Sequence, residues 1–387
     1  MKIILAPDSF KGSLSAQRFC MIANSVIKYY LPHAEIINLP LADGGEGTVA
    51  AVIQIMGGKI HKAIVSDPWG DPIEAAYGLL SDEQTAIIEI ASAAGLTLVG
   101  SRLDPSHTST YGVGELMAHI LDQGVKRILI GLGGSATNDG GCGMAAALGI
   151  RFLNKMGESF IPIGENLTDI VSIDISQRHP RLDSCLIEAI SDVNSPLYGP
   201  LGAAATFGPQ KGADALMVKE LDLGLQHLAK CLISELNINV ADIPGSGAAG
   251  GLGAALIAFT KGKIHSGIET ILKLAKFDLI AMNADLLITG EGRLDASTLQ
   301  GKAIHGLIKH AQLYQLPVVA FVGDYTDEAL ELVGNGLNEL ICTNWRCLEI
   351  SEAMQSIDYD LAFIISQFAP YIKQFISKNY TRKKVKK

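Results

Sequence analysis

Short apolar runs without polar alternation open the chain and recur in its last third. KIIL at 2–5 and DLLIT at 285–289 are of this kind, and such runs are typical of parallel strands that are buried on both faces. SAQRFCMIANSVIKYYL, which begins with a capping Ser15, and TVAAVIQIM have the amphipathic spacing of helices. The alternation of strand and helix predicts a doubly wound parallel sheet.

The middle of the chain follows a different pattern. Residues 61–90 contain short apolar runs joined by turns, which favours antiparallel pairing. A helical pattern at 110–124 precedes an apolar strand, KRILI, that runs into the glycine-rich stretch GLGGSATNDGGCG. From 151 to about 277 the pattern is mixed, and the strand–helix alternation returns near 284 and ends in a single predicted helix at 358–377.

These patterns predict an α/β protein with two domains. A Rossmann-like parallel α/β/α domain is expected from both chain ends, residues 1–57 with 284–387, and an inserted mixed α/β domain from 58–283.

Composition narrows the function classes. The net charge of −9 makes a general nucleic-acid binder unexpected, because such proteins usually carry a basic patch. The chain has no apolar run of the ~20 residues that a membrane helix needs. The six cysteines form no C-x-x-C pair and no secretory leader is evident, so we expect a reduced, cytoplasmic protein, a monomer or a homodimer, that acts on small molecules without nucleic-acid or membrane partners.

Polar and charged residues follow five predicted strands. They are Asp8, Ser9 and Lys11; Asp43 and Glu46; Ser135, Asn138 and Asp139; Asp192; and Glu291, Arg293, Asp295 and Lys302. In open α/β sheets, ligands bind beyond the carboxyl ends of the strands. Backbone amides exposed by glycine bind phosphate oxygens, and carboxylates can hold Mg²⁺. The sequence therefore predicts a site for a phosphorylated ligand.

Other interpretations stay open at this level. Asp8 and Asp43 could be helix caps, and the glycine-rich turns could be packing devices. G-x-x-x-x-G-K-[ST] does not occur, which makes a P-loop enzyme unexpected. Gly245–Gly250 matches G-x-G-x-x-G with Glu269 downstream, so an NAD-dependent oxidoreductase remains an alternative, although the preceding NINVADIP is a poor strand. A sensor that binds the same ligand without catalysing a reaction is also compatible with these residues.

Six motifs together resemble a known family. They are APDSFKGSLSA, LADGGEGT, GGSATNDGG, DVNSPLYGPLGAAATFGPQKGA, PGSGAAGGLGAAL and ITGEGRLD with GK at 301–302, and they occur in this order between residues 6 and 302, as in type I glycerate kinases of bacteria. The resemblance implies a two-domain α/β fold with the active site in the cleft between the domains. It also implies ATP-dependent phosphorylation of D-glycerate with Mg²⁺, and 2-phosphoglycerate is favoured over 3-phosphoglycerate as product. A kinase for another small hydroxy acid is the nearest alternative.

Residue roles follow from the chemistry of phosphoryl transfer, which needs positioning and charge neutralisation. The planar fork of Arg293 suits the glycerate carboxylate, and Asp192 is the expected base, with Asp8 as the runner-up. Asp43 and Asp295 are expected to hold Mg²⁺. The other predicted contacts with nucleotide or substrate are Ser9, Lys11, Gly133, Gly134, Ser135, Asn138, Asp139, Lys211, Gly247, Gly250, Gly290, Glu291, Gly292 and Lys302.

Overall fold

The computed structural model of the protein describes residues 1–42, 44–295 and 303–385. In chain order the strands are β1 (Lys2–Leu5), β2 (Glu35–Asn38), β3 (Gly58–Ser66), β4 (Pro72–Leu80), β5 (Thr85–Glu89), β6 (Arg127–Gly131), β7 (Arg151–Leu153), β8 (Ser159–Phe160), β9 (Ser172–Asp174), β10 (Leu186–Ile190), β11 (Lys263–His265), β12 (Leu286–Leu294), β13 (Val318–Tyr325) and β14 (Glu339–Cys342).

The α-helices are also numbered in chain order. They are α1 (Ala16–Tyr30), α2 (Thr48–Met56), α3 (Ala91–Ala94), α4 (Leu96–Val99), α5 (Tyr111–Asp122), α6 (Cys142–Ala147), α7 (Ala203–Phe207), α8 (Ala215–Leu236), α9 (Ala248–Thr260), α10 (Gly267–Leu274), α11 (Phe277–Ala281), α12 (Ala303–Leu313), α13 (Ile350–Phe368) and α14 (Ile372–Val385). The structure confirms the α/β class. No helix among the described residues has the length and apolar character needed to cross a membrane.

The chain divides into two compact units, the terminal unit (Met1–Asp43 with Gly267–Lys387) and the central unit (Gly44–Ser266). The sequence instead predicts boundaries at 57/58 and 283/284. The difference arises because α2 packs on β3, β4 and β5 of the central unit, whereas α10 packs on α12 of the terminal unit. Amphipathic spacing shows that a helix covers a sheet, but it does not show which sheet.

The terminal unit contains a parallel five-stranded sheet in the order β14-β13-β12-β1-β2. The three middle strands, β13, β12 and β1, are largely buried, whereas the edge strands β14 and β2 are partly exposed. Ile3, Leu5, Phe19, Ile288 and Phe321 belong to one core cluster. The chain proceeds from β1 to β2 in one direction and from β12 through β13 to β14 in the other. The topological switch point, where such sheets place their ligands, therefore lies between β1 and β12.

The central unit contains a six-stranded mixed sheet in the order β11-β10-β6-β5-β4-β3. β3, β4 and β5 form an antiparallel meander, as the sequence predicts, and β5, β6, β10 and β11 are parallel. A small antiparallel sheet, β8-β7-β9, stands apart. The parallel arrangement places the carboxyl ends of β5, β6 and β10 side by side.

The predicted terminal helix is interrupted in the structure. α13 starts at Ile350, and a 3₁₀ turn over Ala369–Tyr371 separates it from α14. Pro370 lies in this turn, and its ring and missing N–H disfavour an unbroken α-helix. By contrast, the predicted start of α1 is confirmed, because Ser15 Oγ accepts a hydrogen bond from Arg18 N at 3.1 Å.

Candidate active site

The switch point of the terminal unit brings two segments of predicted site residues together. Ala6 N donates to Ile288 O and Asp8 N to Gly290 O, both at 2.8 Å, so the chain after β1 continues to pair with β12. The carboxylates of Asp8 and Glu291 are both buried in this region, with relative exposures of 8% and 7%. The local topology thus gathers acidic groups where an open α/β sheet binds its ligand.

Lys11 lies in a tight turn beyond the strand. Phe10 N donates to Leu14 O at 2.8 Å, and Ser13 N donates to Phe10 O at 2.8 Å. Ser9 N donates to the Asp8 carboxylate at 2.7 Å. The turn therefore holds an exposed lysine close in sequence to a buried carboxylate, a combination that suits an anionic ligand and its counter-ion.

One sequence expectation about this region is wrong. The sequence predicts that Gly290, Glu291, Gly292 and Arg293 follow a strand, but β12 continues through Leu294 and pairs with β13 as far as Tyr325. The strand extends this far because β13 runs alongside it and forms backbone hydrogen bonds with residues that would otherwise lack them.

The two glycines of this strand allow close packing. A Cβ on Gly290 would clash with Phe321 O, and one on Gly292 would lie 3.2 Å from Phe10 Cα. Arg293 is more than half exposed and lies 3.6 Å from the Asp324 carboxylate. Its guanidinium is thus accessible to a ligand.

In the central unit, the glycine-rich turn after β6 packs against other backbone. A Cβ on Gly133 would lie 2.5 Å from Gly45 Cα, and one on Gly134 would lie 3.3 Å from Ala91 Cβ. Gly140 N donates to Gly250 O at 3.0 Å, and Gly250, with φ of +68°, has no room for a Cβ beside Thr137 O. Gly247 is similarly pressed against Pro196 O. Packing accounts for these glycines, and their contact with a nucleotide stays a prediction.

Lys211 is buried beneath this turn. Its Nζ donates to Ser135 Oγ at 2.7 Å and to Thr137 O at 2.6 Å. Burial lowers the pKa of Lys211 to about 7, and the negative charge of Asp139 acts in the opposite direction. The lysine holds the turn from inside, and a direct contact with phosphate stays a prediction.

Asp139 connects the turn to two helices. Its carboxylate accepts hydrogen bonds from Thr110 N and Oγ1, both at 2.8 Å, from Gly141 N at 3.0 Å and from Gly143 N at 3.2 Å. Burial raises the pKa of Asp139, and these hydrogen bonds oppose the rise. Because its carboxylate oxygens accept hydrogen bonds from the starts of α5 and α6, we assign Asp139 a structural role.

Thr137 and Asn138 differ from their neighbours. Both residues are fully buried, yet Thr137 Oγ1 and both polar side-chain atoms of Asn138 have no hydrogen-bond partner among the described residues. Such atoms are rare in folded proteins, since an unpaired buried polar group costs about 1–3 kcal/mol. A bound water or a polar ligand would satisfy them.

Asp192 follows β10, the strand next to β6. It is partly buried, and its Oδ1 accepts a hydrogen bond from Ser266 Oγ at 2.9 Å. The structure thus gathers Ser135, Asn138, Asp139 and Lys211 around one turn and places Asp192 after the adjacent strand. Asp43 and Lys302, two further predicted site residues, lie outside the described residues.

Sequence reasoning missed Glu89, which closes β5 and is level with Gly131 of β6. Its carboxylate accepts the backbone N–H of Val49 at 2.7 Å. An available signal was the single carboxylate at the end of the apolar run TAIIEI. It was overlooked because this run is part of the antiparallel meander, where strand ends were not expected to bear chemistry.

Comparison with known proteins agrees with these features. The model of the Glycerate kinase family matches residues 3–373. A protein of Bacillus cereus named "Glycerate kinase" is 42% identical over 98% of this chain and 100% of its own length. An Escherichia coli K12 protein named "Glycerate 2-kinase" is 43% identical over 85% of this chain and 86% of its own.

A solved structure agrees as well. The crystal structure of a candidate glycerate kinase 2 from Salmonella typhimurium LT2 matches with a TM-score of 0.84 and 40% identity, covering 97% of this chain and 98% of that one. The family's activity, a kinase reaction on an alcohol group, fits the acidic and cationic groups at the strand ends. The chain therefore belongs to the glycerate kinase family and is a kinase that phosphorylates an alcohol group with ATP.

Proposed function

We propose that this enzyme phosphorylates D-glycerate with Mg-ATP and yields 2-phosphoglycerate. The observation that carries the proposal is the switch point of the terminal unit in a chain of this family. There the segment after β1 has a buried Asp8 and an exposed Lys11, and β12 has a buried Glu291 and an exposed Arg293. The name "Glycerate 2-kinase" of the Escherichia coli relative supports the 2-hydroxyl as acceptor. We further propose a cytoplasmic enzyme, in keeping with its six free thiols.

In the proposed reaction, the glycerate hydroxyl oxygen forms a bond to the γ-phosphorus of ATP. The bond from that phosphorus to the β–γ bridging oxygen breaks, and ADP leaves. The hydroxyl proton passes to a carboxylate, which we assign to Asp192, with Asp8 as the alternative. Lys11 neutralises phosphate charge, and Arg293 binds the glycerate carboxylate through two parallel hydrogen bonds.

Magnesium would be held by Asp43 and Asp295. Mg²⁺ typically takes only one or two protein carboxylates and completes its shell with phosphate and water. Over residues 1–42, 44–295 and 303–385 no group of three His, Cys, Asp or Glu side chains could hold a metal by itself. Asp295, which directly follows β12, fits a metal that arrives with the nucleotide. The bound ion would offset charge on the phosphates.

The glycine-rich turn of the central unit is proposed to contribute substrate contacts. The unpaired buried atoms of Thr137 and Asn138 and the lysine-held Ser135 support this role. Asp192 belongs to the central unit and Lys11 to the terminal unit. The cleft that the family resemblance implies stays a prediction.

The dinucleotide alternative is not favoured. Its fingerprint needs a strand that leads into Gly245, and residues 237–244, all of which are described, form none.

The test is a coupled assay for ADP release with Mg-ATP and D-glycerate, L-glycerate or other small hydroxy acids. We expect the highest kcat/KM with D-glycerate, and phosphorus NMR should show phosphate on the 2-hydroxyl. A higher kcat/KM with another hydroxy acid would replace the substrate assignment. Phosphate on the 3-hydroxyl would overturn the product assignment alone.

Variants test the residue roles. Asp192→Asn should lower kcat by on the order of 10³, whereas Asp214→Asn, at the N-cap of α8, should leave it unchanged because Asn caps a helix equally well. Near-normal turnover of the Asp192 variant would transfer the base role to Asp8. Arg293→Lys should raise the KM for glycerate and leave the KM for ATP unchanged.

A further inference from the structure

Glu89 binds the start of a helix that follows a family motif. Its Oε1 accepts Val49 N at 2.7 Å, and the nearby backbone N–H groups of Gly47 and Thr48 act to lower the pKa of this carboxyl. These residues form the start of α2, directly after the glycine turn Gly44–Gly47 of the LADGGEGT motif. None of the residue roles proposed above includes Glu89.

The opposite side of this turn is fixed by backbone. Gly133 N donates to Gly44 O at 2.9 Å, and a Cβ on Gly44 would clash with Ile190 O. Thr48 Oγ1 donates to Gly45 O at 2.7 Å. The turn is therefore held between the carboxyl ends of β6 and β10 on one side and the Glu89 carboxylate on the other.

Burying a charged carboxylate at this position has a desolvation cost. Burial raises the pKa of Glu89, and the nearby negative charge of Glu46 adds to the rise. A neutral acceptor would avoid this cost. However, hydrogen bonds from N–H groups to an ionised oxygen are roughly twice as strong as those to a neutral one, and the helix start favours negative charge.

We propose that Glu89 is a positioning residue for phosphoryl transfer, whose carboxylate fixes the start of α2 and thereby the Gly44–Gly47 turn, which includes Glu46. This inference rests on the proposed function, because it assumes that the LADGGEGT motif contributes to the kinase site. A turn that moves by an ångström would misplace the groups it carries, and such displacements are costly for turnover.

The first test does not depend on activity. Hydrogen exchange of the full-length protein should show that the amides of residues 47–49 exchange at least about tenfold faster in Glu89→Gln than in the wild type. Glu115→Gln is the matched control, since Glu115 also accepts one backbone N–H, that of Ser66 at 2.6 Å. The control should leave residues 47–49 unchanged. Unchanged exchange in the Glu89 variant would overturn the inference.

The second test is steady-state kinetics with the preferred substrate of the wild type. Glu89→Gln should lower kcat at least about tenfold while the KM for the acceptor changes less than about threefold, and Glu115→Gln should retain wild-type kcat. If Glu89→Gln fails to fold, Glu89→Asp takes its place in the test. Because Asp keeps the charge at a shorter reach, this variant should lower kcat, but by less than the loss expected for Glu89→Gln. Wild-type kinetics in a folded Glu89 variant would contradict the inference. Inactivity of the wild type towards D-glycerate would contradict only the proposed function.

Discussion

At the scale of single residues, the buried Lys211 couples folding to pH. Its pKa of about 7 in the folded protein lies below its ordinary value of 10.5. Between these values the unfolded chain binds more protons, so the free energy of unfolding rises with pH, by at most about 1.4 kcal/mol per pH unit. Lys211→Met should lack this contribution. Urea unfolding at pH 7, 8 and 9 should show the wild type gaining stability relative to the variant as pH increases.

The control for this prediction is Lys219→Met, which removes an exposed lysine of α8. It should keep the pH dependence of the wild type. Parallel pH profiles for the wild type and Lys211→Met would show that the ammonium is not buried as described.

Two buried threonines give a matched pair at the same scale. Thr110 Oγ1 donates to the Asp139 carboxylate and accepts Met144 N at 2.9 Å, whereas Thr137 Oγ1 has no partner among the described residues. Thr110→Val should lower the free energy of unfolding by about 1–3 kcal/mol, because it leaves buried groups unpaired. Thr137→Val should be nearly neutral in the absence of ligand. Equal losses in denaturant unfolding would refute the distinction.

At the scale of elements, the glycine-rich turns act as packing surfaces between loops. Gly250, with φ of +68°, has no room for a Cβ, whereas Gly157, with φ of +78°, has nothing within 4 Å of one. Gly157→Ala should cost about 1–2 kcal/mol, the strain of a left-handed backbone. Gly250→Ala should cost at least about 2 kcal/mol more, because the Thr137 backbone must also shift. Similar losses in thermal unfolding would argue against tight packing of these loops.

The ends of helices and strands are the features that hydrophobic periodicity predicts least well. The helices α1 and α5 and the strands of the terminal unit were predictable, since apolar runs and amphipathic spacing follow from burial. The long helix α8 was not predicted, because it lies in the stretch 151–277, where the pattern is mixed. The extension of β12 through Gly290–Leu294 was not, because glycine and charge indicate a turn unless a partner strand is present. The break before α14 was readable from Pro370 but was overlooked.

At the scale of the whole molecule, each unit contains its own core. One cluster of buried side chains lies within Gly44–Ser266, and the other lies within the two terminal segments. A fragment comprising 44–266 should therefore fold cooperatively alone, as judged by circular dichroism and urea unfolding. A fragment comprising 58–283 should be less stable, because it lacks α2, which covers β3, β4 and β5. Higher stability of the second fragment would favour the boundaries predicted from sequence.

The sequence by itself determined the fold class, the strands of the terminal unit, β6 of the central unit and the family, because burial patterns and compact motifs are local properties of the chain. It also indicated the acidic and cationic residues after β1, β6 and β10. Only the tertiary structure decided which sheet each helix covers and showed that the turn glycines pack against backbone. It also showed that Lys211 and Asp139 are buried and hydrogen-bond to neighbouring turns and helix starts. Likewise, only the tertiary structure shows that Glu89 contacts the helix start after the Gly44–Gly47 turn, which lies about forty residues earlier in the chain. These features arise from contacts between segments distant in sequence, which no local pattern encodes.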